Sequence, residues 1–295
     1  MKIKIIPIFN IIKEKLKDPY YHGKPAELSF YFTMSLIPTV LLLTQLLGTF
    51  SITTEILQEL LADYLTEQGM NVVRTFLSSS QPGGVSLVFI LLALWGASKA
   101  QYALMGISNY AYTGNPRVSG YILERLRAIK NSLSMLFLLL FGLILLVYGD
   151  IILKALFVFF GETFVRVAEE TFGRHFDFLW SLARWILGIV FYVFTVLYIL
   201  YNAPTKKIRL RQVLPGSLLA AVGMIIVTAV YSAYTNYTME NNLFMNAVYG
   251  SFSSIIALLF WFFLIGVVLV AGILTNSSLQ RLRIEEADRD DAFNV

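Results

Sequence analysis

Cysteine is absent from the 295 residues. That excludes disulfides, thiolate metal sites and a cysteine nucleophile together. Histidine is nearly absent too: His22 and His175 stand far apart in the chain and leave little for zinc or for imidazole acid–base chemistry. Charged residues make up 14%, against about 25% in soluble domains. No Gly-rich phosphate loop precedes a lysine and Ser/Thr, no His-Glu-x-x-His is present, and no Gly-x-Ser-x-Gly elbow occurs. Nothing assembles a nucleophile with its base, so no catalytic residue, metal or cofactor is expected and the chain does not read as an enzyme. A lipid-modifying membrane enzyme would need a catalytic pair that the sequence does not offer.

Apolar side chains fill the space those absences leave, at 57% of residues. They gather into six long runs at about 26–50, 85–112, 132–156, 180–201, 213–235 and 250–277. A run of 18 or more apolar residues crosses the hydrocarbon core as a helix, because about 20 residues at 1.5 Å rise span it. Helix is required there, since backbone N–H and C=O groups have no water to bond. The expected fold is therefore all-α: a polytopic bundle of six transmembrane helices over 26–278, with amphipathic external helices. A basic interfacial segment (1–25) precedes the bundle and a charged tail (279–295) follows it.

The basic residues fall into alternate gaps. Seventeen of the 23 lie in the N-terminal segment, the gaps after the second and fourth runs, and the C-terminal tail; four lie toward the opposite gaps, counting Lys154 at the very end of the third run, and Lys99 and Arg184 lie within runs. Short basic loops remain in the cytoplasm, so both termini are expected inside a bacterial cytoplasmic (inner) membrane. The small net charge of +4 is accounted for by this bias, and no nucleic acid is expected as a partner.

Residues 1–20 have neither the uninterrupted apolar stretch nor the small-residue cleavage site of a removable signal peptide. Ile5, Ile8, Ile12 and Leu16 recur at helical spacing among lysines, which suits a helix lying in the interface against anionic lipid. A poorly ordered leader that merely sets topology fits the same residues. Between the first two runs, Glu55, Glu59, Asp63 and Glu67 form an acidic ridge on a separate stripe from Ile52, Ile56, Leu60 and Tyr64. That pattern is an amphipathic helix with a solvated outer face, or a cation or partner site. A second external helix or hairpin is expected over 157–179.

Polar residues inside the runs carry most of the functional signal, since a mid-bilayer charge costs about 2.5–3.5 kcal/mol even on insertion scales. Lys99 lies near the middle of the second run, and Tyr102, Gly106 and Asn109 follow at i+3, i+7 and i+10. One reading is a lysine bonded to helix carbonyls or paired with a carboxylate. The other is a cationic floor for an anionic head group in a water-filled cavity. In the first run Glu27, Tyr31 and Ser35 recur every four residues ahead of Pro38, a hinge candidate because it frees a carbonyl one turn earlier. Glu27 lies near the membrane surface, where solvation alone would account for it. Ser251 and Ser254 open the last run with small polar groups, and Gly216, Ala220 and Gly223 mark a close helix contact in the fifth.

Four stretches resemble the YihY/BrkB family of bacterial inner-membrane proteins. They are Leu94-Trp95-Gly96-Ala97-Ser98-Lys99-Ala100 with Ser108-Asn109-Tyr110-Ala111-Tyr112; Leu28-Ser29-Phe30-Tyr31-Phe32 with Ser35-Leu36-Ile37-Pro38; Tyr198-Ile199-Leu200-Tyr201-Asn202-Ala203-Pro204 with Pro215-Gly216; and Tyr249-Gly250-Ser251 through Trp261 to Gly272 and Asn276. The resemblance covers about residues 24–278. One departure stands at Leu274, where family members often carry an acidic residue, so a proton-coupled role for that carboxylate does not carry over. The resemblance implies a six-span envelope protein with links to virulence and lipid handling. The family's former label, ribonuclease BN, conflicts with the missing acid–base pair and metal ligands that RNA hydrolysis requires.

Two functions follow as expectations. One is a transporter or flippase-like handler of an anionic amphiphile, such as an anionic lipid or lipid-linked precursor, using Lys99, Tyr102, Asn109, Glu27, Tyr31, Ser35, Ser251 and Ser254. The other is a non-transporting scaffold that recruits envelope partners through its external helices. Membrane lipids are the expected partners in the first; the oligomeric state is open in both.

Overall fold

The computed structural model describes residues 11, 13–15, 17–49, 87–159, 176–241 and 251–293, with side chains given for most of these. All regular structure among them is helical. A short helix α1 (Pro19–His22) is followed by α2 (Lys24–Thr49), α3 (Leu87–Thr113), α4 (Tyr121–Phe159), α5 (Phe176–Asn202), α6 (Leu210–Asn241) and α7 (Ser251–Phe293). The six apolar runs each coincide with one long helix. Over described residues, three are long and apolar enough to cross a membrane: Trp185–Asn202, Leu210–Thr235 and Ile255–Ile284. The expected external helix at 51–80, residues 1–10, and all of the expected 157–179 segment except its ends lie outside the described residues; residues 157–159 are the last of α4 and 176–179 the first of α5.

Two helix ends differ from their hydropathy. Helix α4 begins at Tyr121, eleven residues before its apolar run, and α7 continues to Phe293, through the charged tail. The tail is thus the last part of a helix. Charged side chains do not stop a helix whose backbone bonds are local; they mark where its surface leaves the apolar phase.

Each long helix packs against its neighbours in the chain, and α7 closes the ring against α2; α3–α7 and α2–α4 contacts cross the middle. Leu28, Leu104, Ile107, Val213, Val270, Ile273 and Leu274 make the fully enclosed core. Leu274, the position that departs from the family pattern, is an ordinary core residue. The outer surface is also apolar: Trp185, Ile186, Ile189, Val190 and Phe194 on α5 and Val222, Ile226 and Val230 on α6 are exposed. Apolar side chains on both faces of a helix are what a hydrocarbon surrounding allows and water does not.

Small residues set the closest approach. A Cβ on Gly216 would collide with the Gly272 carbonyl and the Asn276 amide, and Gly223 lies against Val268. The Gly216, Ala220, Gly223 stripe is therefore the α6–α7 contact its spacing indicates. Asn276 Oδ1 accepts, at 2.7 Å, the N–H of Gly216, the residue directly after the Pro215 that interrupts donor continuity in α6. On the opposite flank Gly266 meets the Pro25 backbone, and the Ser29 hydroxyl donates to the Leu259 carbonyl at 2.6 Å. These contacts fix α7 between α6 and α2.

Candidate functional site

The α3–α4 connection decides where the site lies. Helix α3 ends at Thr113, and Gly114 at φ 74° takes the left-handed conformation that stops a helix, its N–H bonding to the Tyr110 carbonyl. Gly120 at φ 82° then turns the chain into α4. Between them the loop folds back along α3. The Asn109 amide reaches the Pro116 carbonyl and the Glu124 carboxylate, both at 3.5 Å, and Glu124 accepts the Val118 and Ser119 N–H groups at 2.7 and 3.1 Å. A carboxylate on otherwise unpaired N–H groups at a helix start is a capping arrangement. Asn109 Oδ1 also accepts the Thr205 N–H at 2.7 Å, which ties in the α5–α6 loop. Asn131 reinforces that tie by donating to the Asn202 carbonyl at 3.1 Å.

Because the loop doubles back, α4 starts beside the middle of α3. The Tyr121 ring meets Tyr102 edge-on at 5.9 Å, and Arg125 is carried inward until it is 6% exposed. Its guanidinium stacks on Trp95 at 4.1 Å and lies 5.7 Å from the Tyr102 ring, while Nη2 donates to the Trp95 carbonyl at 2.9 Å. The phenols of Tyr121, Tyr102 and Tyr31 are within electrostatic reach. Two donors remain unused: Arg125 Nε and the Tyr102 hydroxyl are both buried without a hydrogen-bond partner. Among the described residues no carboxylate pairs with Arg125.

Trp95, Lys99 and Tyr102 are spaced i, i+4, i+7 and share one stripe of α3. Arg125 rests on the first and third of them, so Lys99 sits on the stripe between its two supports. Lys99 itself is exposed, as are Trp95 (46%) and Tyr121 (52%). Lys99 thus lies on the exposed side of the stripe on which Arg125 packs, and it has no carboxylate partner among the described residues.

The other expected site residues distribute differently. Asn109 is buried but belongs to the loop tie, so the face expected to run from Lys99 to Asn109 divides into an exposed cation and an enclosed amide. Glu27 is half-buried and bonds to Lys24 at 2.6 Å, one turn away on the same helix. Tyr31 is part-buried against the core and is the one α2 candidate near Arg125. The Ser35 hydroxyl donates to the Phe32 carbonyl of its own helix at 2.9 Å. Pro38 lies inside α2, which continues as helix on both sides of it; its side chain, and those of Ser251 and Ser254, lie outside the described residues.

Arg125 is the residue that sequence reasoning missed. It was counted among loop cations that set topology, and its neighbour Glu124 gave it a nearby acid that the structure uses elsewhere. The available signal was the pair of glycines, Gly114 and Gly120, that bracket so short a loop and permit its reversal.

A second cluster closes the bundle end where α2 begins. The Tyr20 ring stacks on Tyr110 at 3.9 Å, and the Tyr110 hydroxyl donates to Asp18 at 2.8 Å. Asp18 also caps α1 by accepting the Tyr20 N–H at 2.9 Å, and these bonds hold its carboxyl below the usual range. Lys15 donates to the Ala111 carbonyl and the Ser277 hydroxyl at 3.2 and 2.9 Å, joining the N-terminal segment to α3 and α7. Burial, followed by the charge of Arg281, lowers Lys15 to about 8. The segment expected to lie along the interface is therefore pinned here to the bundle.

The family model for virulence factor BrkB matches residues 23–293. The ribonuclease-like protein YfkH of Bacillus subtilis (strain 168) is 31% identical over 266 residues, covering 88% of this chain and 90% of that protein. No solved structure matches. With the family match running over nearly its whole length, this chain belongs to the virulence factor BrkB family of membrane proteins.

Proposed function

We propose that this protein binds an anionic amphiphile at the α3–α4 junction and moves it across the bacterial inner membrane. The observation that carries this reading is buried Arg125 of α4 packed on the α3 stripe that also bears Lys99, with neither cation paired to a carboxylate among the described residues. Two uncompensated cations on the apolar flank of a helical bundle are costly. A ligand that brings negative charge together with an apolar tail offsets that cost and fits the surroundings. Six spans with both termini cytoplasmic complete the proposal, supported by the six helices and the 17-to-4 split of basic residues.

The test is lipid translocation in reconstituted vesicles. Fluorescent phosphatidylglycerol in the inner leaflet becomes accessible to an impermeant quencher faster with protein than without, and Lys99→Met abolishes the difference. Equal rates with and without protein would reject movement and leave a scaffold that recruits partners. For topology, single cysteines at Ser79, Thr171 and Asn241 react with an impermeant thiol reagent from outside, while ones at Thr205 and Asn294 do not; the inverse pattern would reverse the orientation.

We further propose that the protein is not a ribonuclease, in contrast to the description borne by its Bacillus relative. Purified protein leaves RNA intact with or without divalent metal. Cleavage that copurifies with the protein and disappears on a point substitution would refute this.

A further inference from the structure

We propose that the chemical group recognised at this junction is a phosphate carried by a lipid, that it enters sideways from the bilayer past Trp95 and Tyr121, and that Arg125 and Tyr102 are its direct ligands. The inference rests on the anionic-amphiphile reading above and specifies its chemistry and route.

The available donors select the group. Arg125 uses one Nη on the Trp95 carbonyl and retains Nε, while Tyr102 retains its hydroxyl; both atoms are buried and unpartnered. Lys99 supplies an ammonium from the stripe that supports Arg125. These donors come from two helices and are three separate groups. A carboxylate offers two oxygens in a single plane, whereas a phosphate offers oxygens in tetrahedral array and up to two negative charges. A guanidinium held flat on an indole keeps its donor edge fixed, and Arg is the side chain suited to oxyanions of this kind.

Exposure sets the route. Arg125 is almost enclosed, yet Trp95 on which it rests is exposed, as are Tyr121 one turn before it on α4 and Lys99 one turn beyond Trp95 on α3. On the inner side α3 presents Ala103, Leu104 and Ile107 to the core cluster. A head group therefore approaches from the lipid side and not along a central pore. Aromatic rings that are apolar in body and polar at the rim suit the boundary where a head group leaves the interface.

The experiment is binding in lipid-free detergent, read by native mass spectrometry of the full chain. The probes are phosphatidic acid, phosphatidylglycerol, a fatty acid of matched chain length and inorganic phosphate. Wild-type protein retains both phosphate lipids and binds the fatty acid and free phosphate at least about tenfold more weakly. Arg125→Met weakens the phosphate lipids about tenfold or more. Tyr102→Phe, which keeps the ring and removes an unpartnered hydroxyl, weakens them several-fold and leaves the melting temperature unchanged, so a misfolded Arg125 variant does not decide the result. Equal retention of fatty acid and phosphate lipid would overturn phosphate recognition. Tight free phosphate would overturn lateral entry, and unaltered binding in both variants would overturn the assignment of ligands. Phosphate-lipid binding in a protein that fails to translocate lipid would instead reject transport and keep this site.

Discussion

The α6–α7 seam and the α3–α4 junction both bury polar side chains between helices, and they treat those side chains in opposite ways. At the seam Asn276 spends its Oδ1 on the Gly216 N–H, and the glycines bring two backbones into contact. At the junction a larger and charged side chain, Arg125, is held by aromatic faces and one carbonyl, with a donor left over beside the unused hydroxyl of Tyr102. A satisfied polar group between close helices fixes their register. An unsatisfied one is a cost that stability alone does not explain. The contrast supports the proposal made above, with the α6–α7 half of the ring as frame and the α3–α4 edge as site.

Substitutions at the frame should have the larger effects on stability. Gly216→Ala drives a methyl group into the Gly272 carbonyl and the Asn276 amide, neither of which can withdraw along a flexible chain. A loss of about 3 kcal/mol or more is expected, seen as a strongly lowered unfolding midpoint in detergent. A near-normal midpoint would show that the seam is looser than its geometry. Asn276→Ala leaves a buried N–H without its side-chain acceptor and should cost about 1–3 kcal/mol by the same measurement.

The site should behave differently. Arg125→Met keeps an apolar stem and removes a charge that no carboxylate balances, so stability in lipid-free detergent should stay within about 1 kcal/mol of the wild type. A loss as large as that of Asn276→Ala would erase the distinction between the two regions.

The smallest effect concerns the N-terminal tie. The folded pKa of Lys15, about 8, lies below its ordinary value of 10.5. Between those values the unfolded chain holds a proton that the folded chain has released, so the stability contribution of this group rises with pH across that window. Lys15→Met should flatten the slope of melting temperature against pH from 8 to 10.5 relative to wild type. Because the ammonium is partly solvated, the change in slope should be slight. An identical slope in both proteins would remove Lys15 as its source.

The helices were legible because hydrocarbon demands long apolar runs, and Gly216, Ala220 and Gly223 announced their contact by spacing alone. The ends of α4 and α7 were not legible, since hydropathy reports which residues leave water and not where backbone bonding stops. The site was legible in half. Lys99 and Tyr102 were readable as polar groups in an apolar run, but Asn109, on the same expected face, turned out to tie loops together. Arg125 was invisible because its position depends on a loop that reverses along α3, and the charge pattern had already explained it as a topology signal. The loop reversal depends on tertiary bonds from Asn109 and Glu124, which no local periodicity encodes.

The most direct measurement of the central claim is the melting temperature of wild-type and Arg125→Met protein in lipid-free detergent, with and without added phosphatidylglycerol. A ligand that binds the folded state raises the midpoint as its concentration exceeds Kd. The account predicts similar midpoints for the two proteins without lipid, and a rise on adding lipid in the wild type alone. A variant that melts several degrees lower without lipid, or that gains the same rise with it, would show that Arg125 belongs to the frame and not to the site.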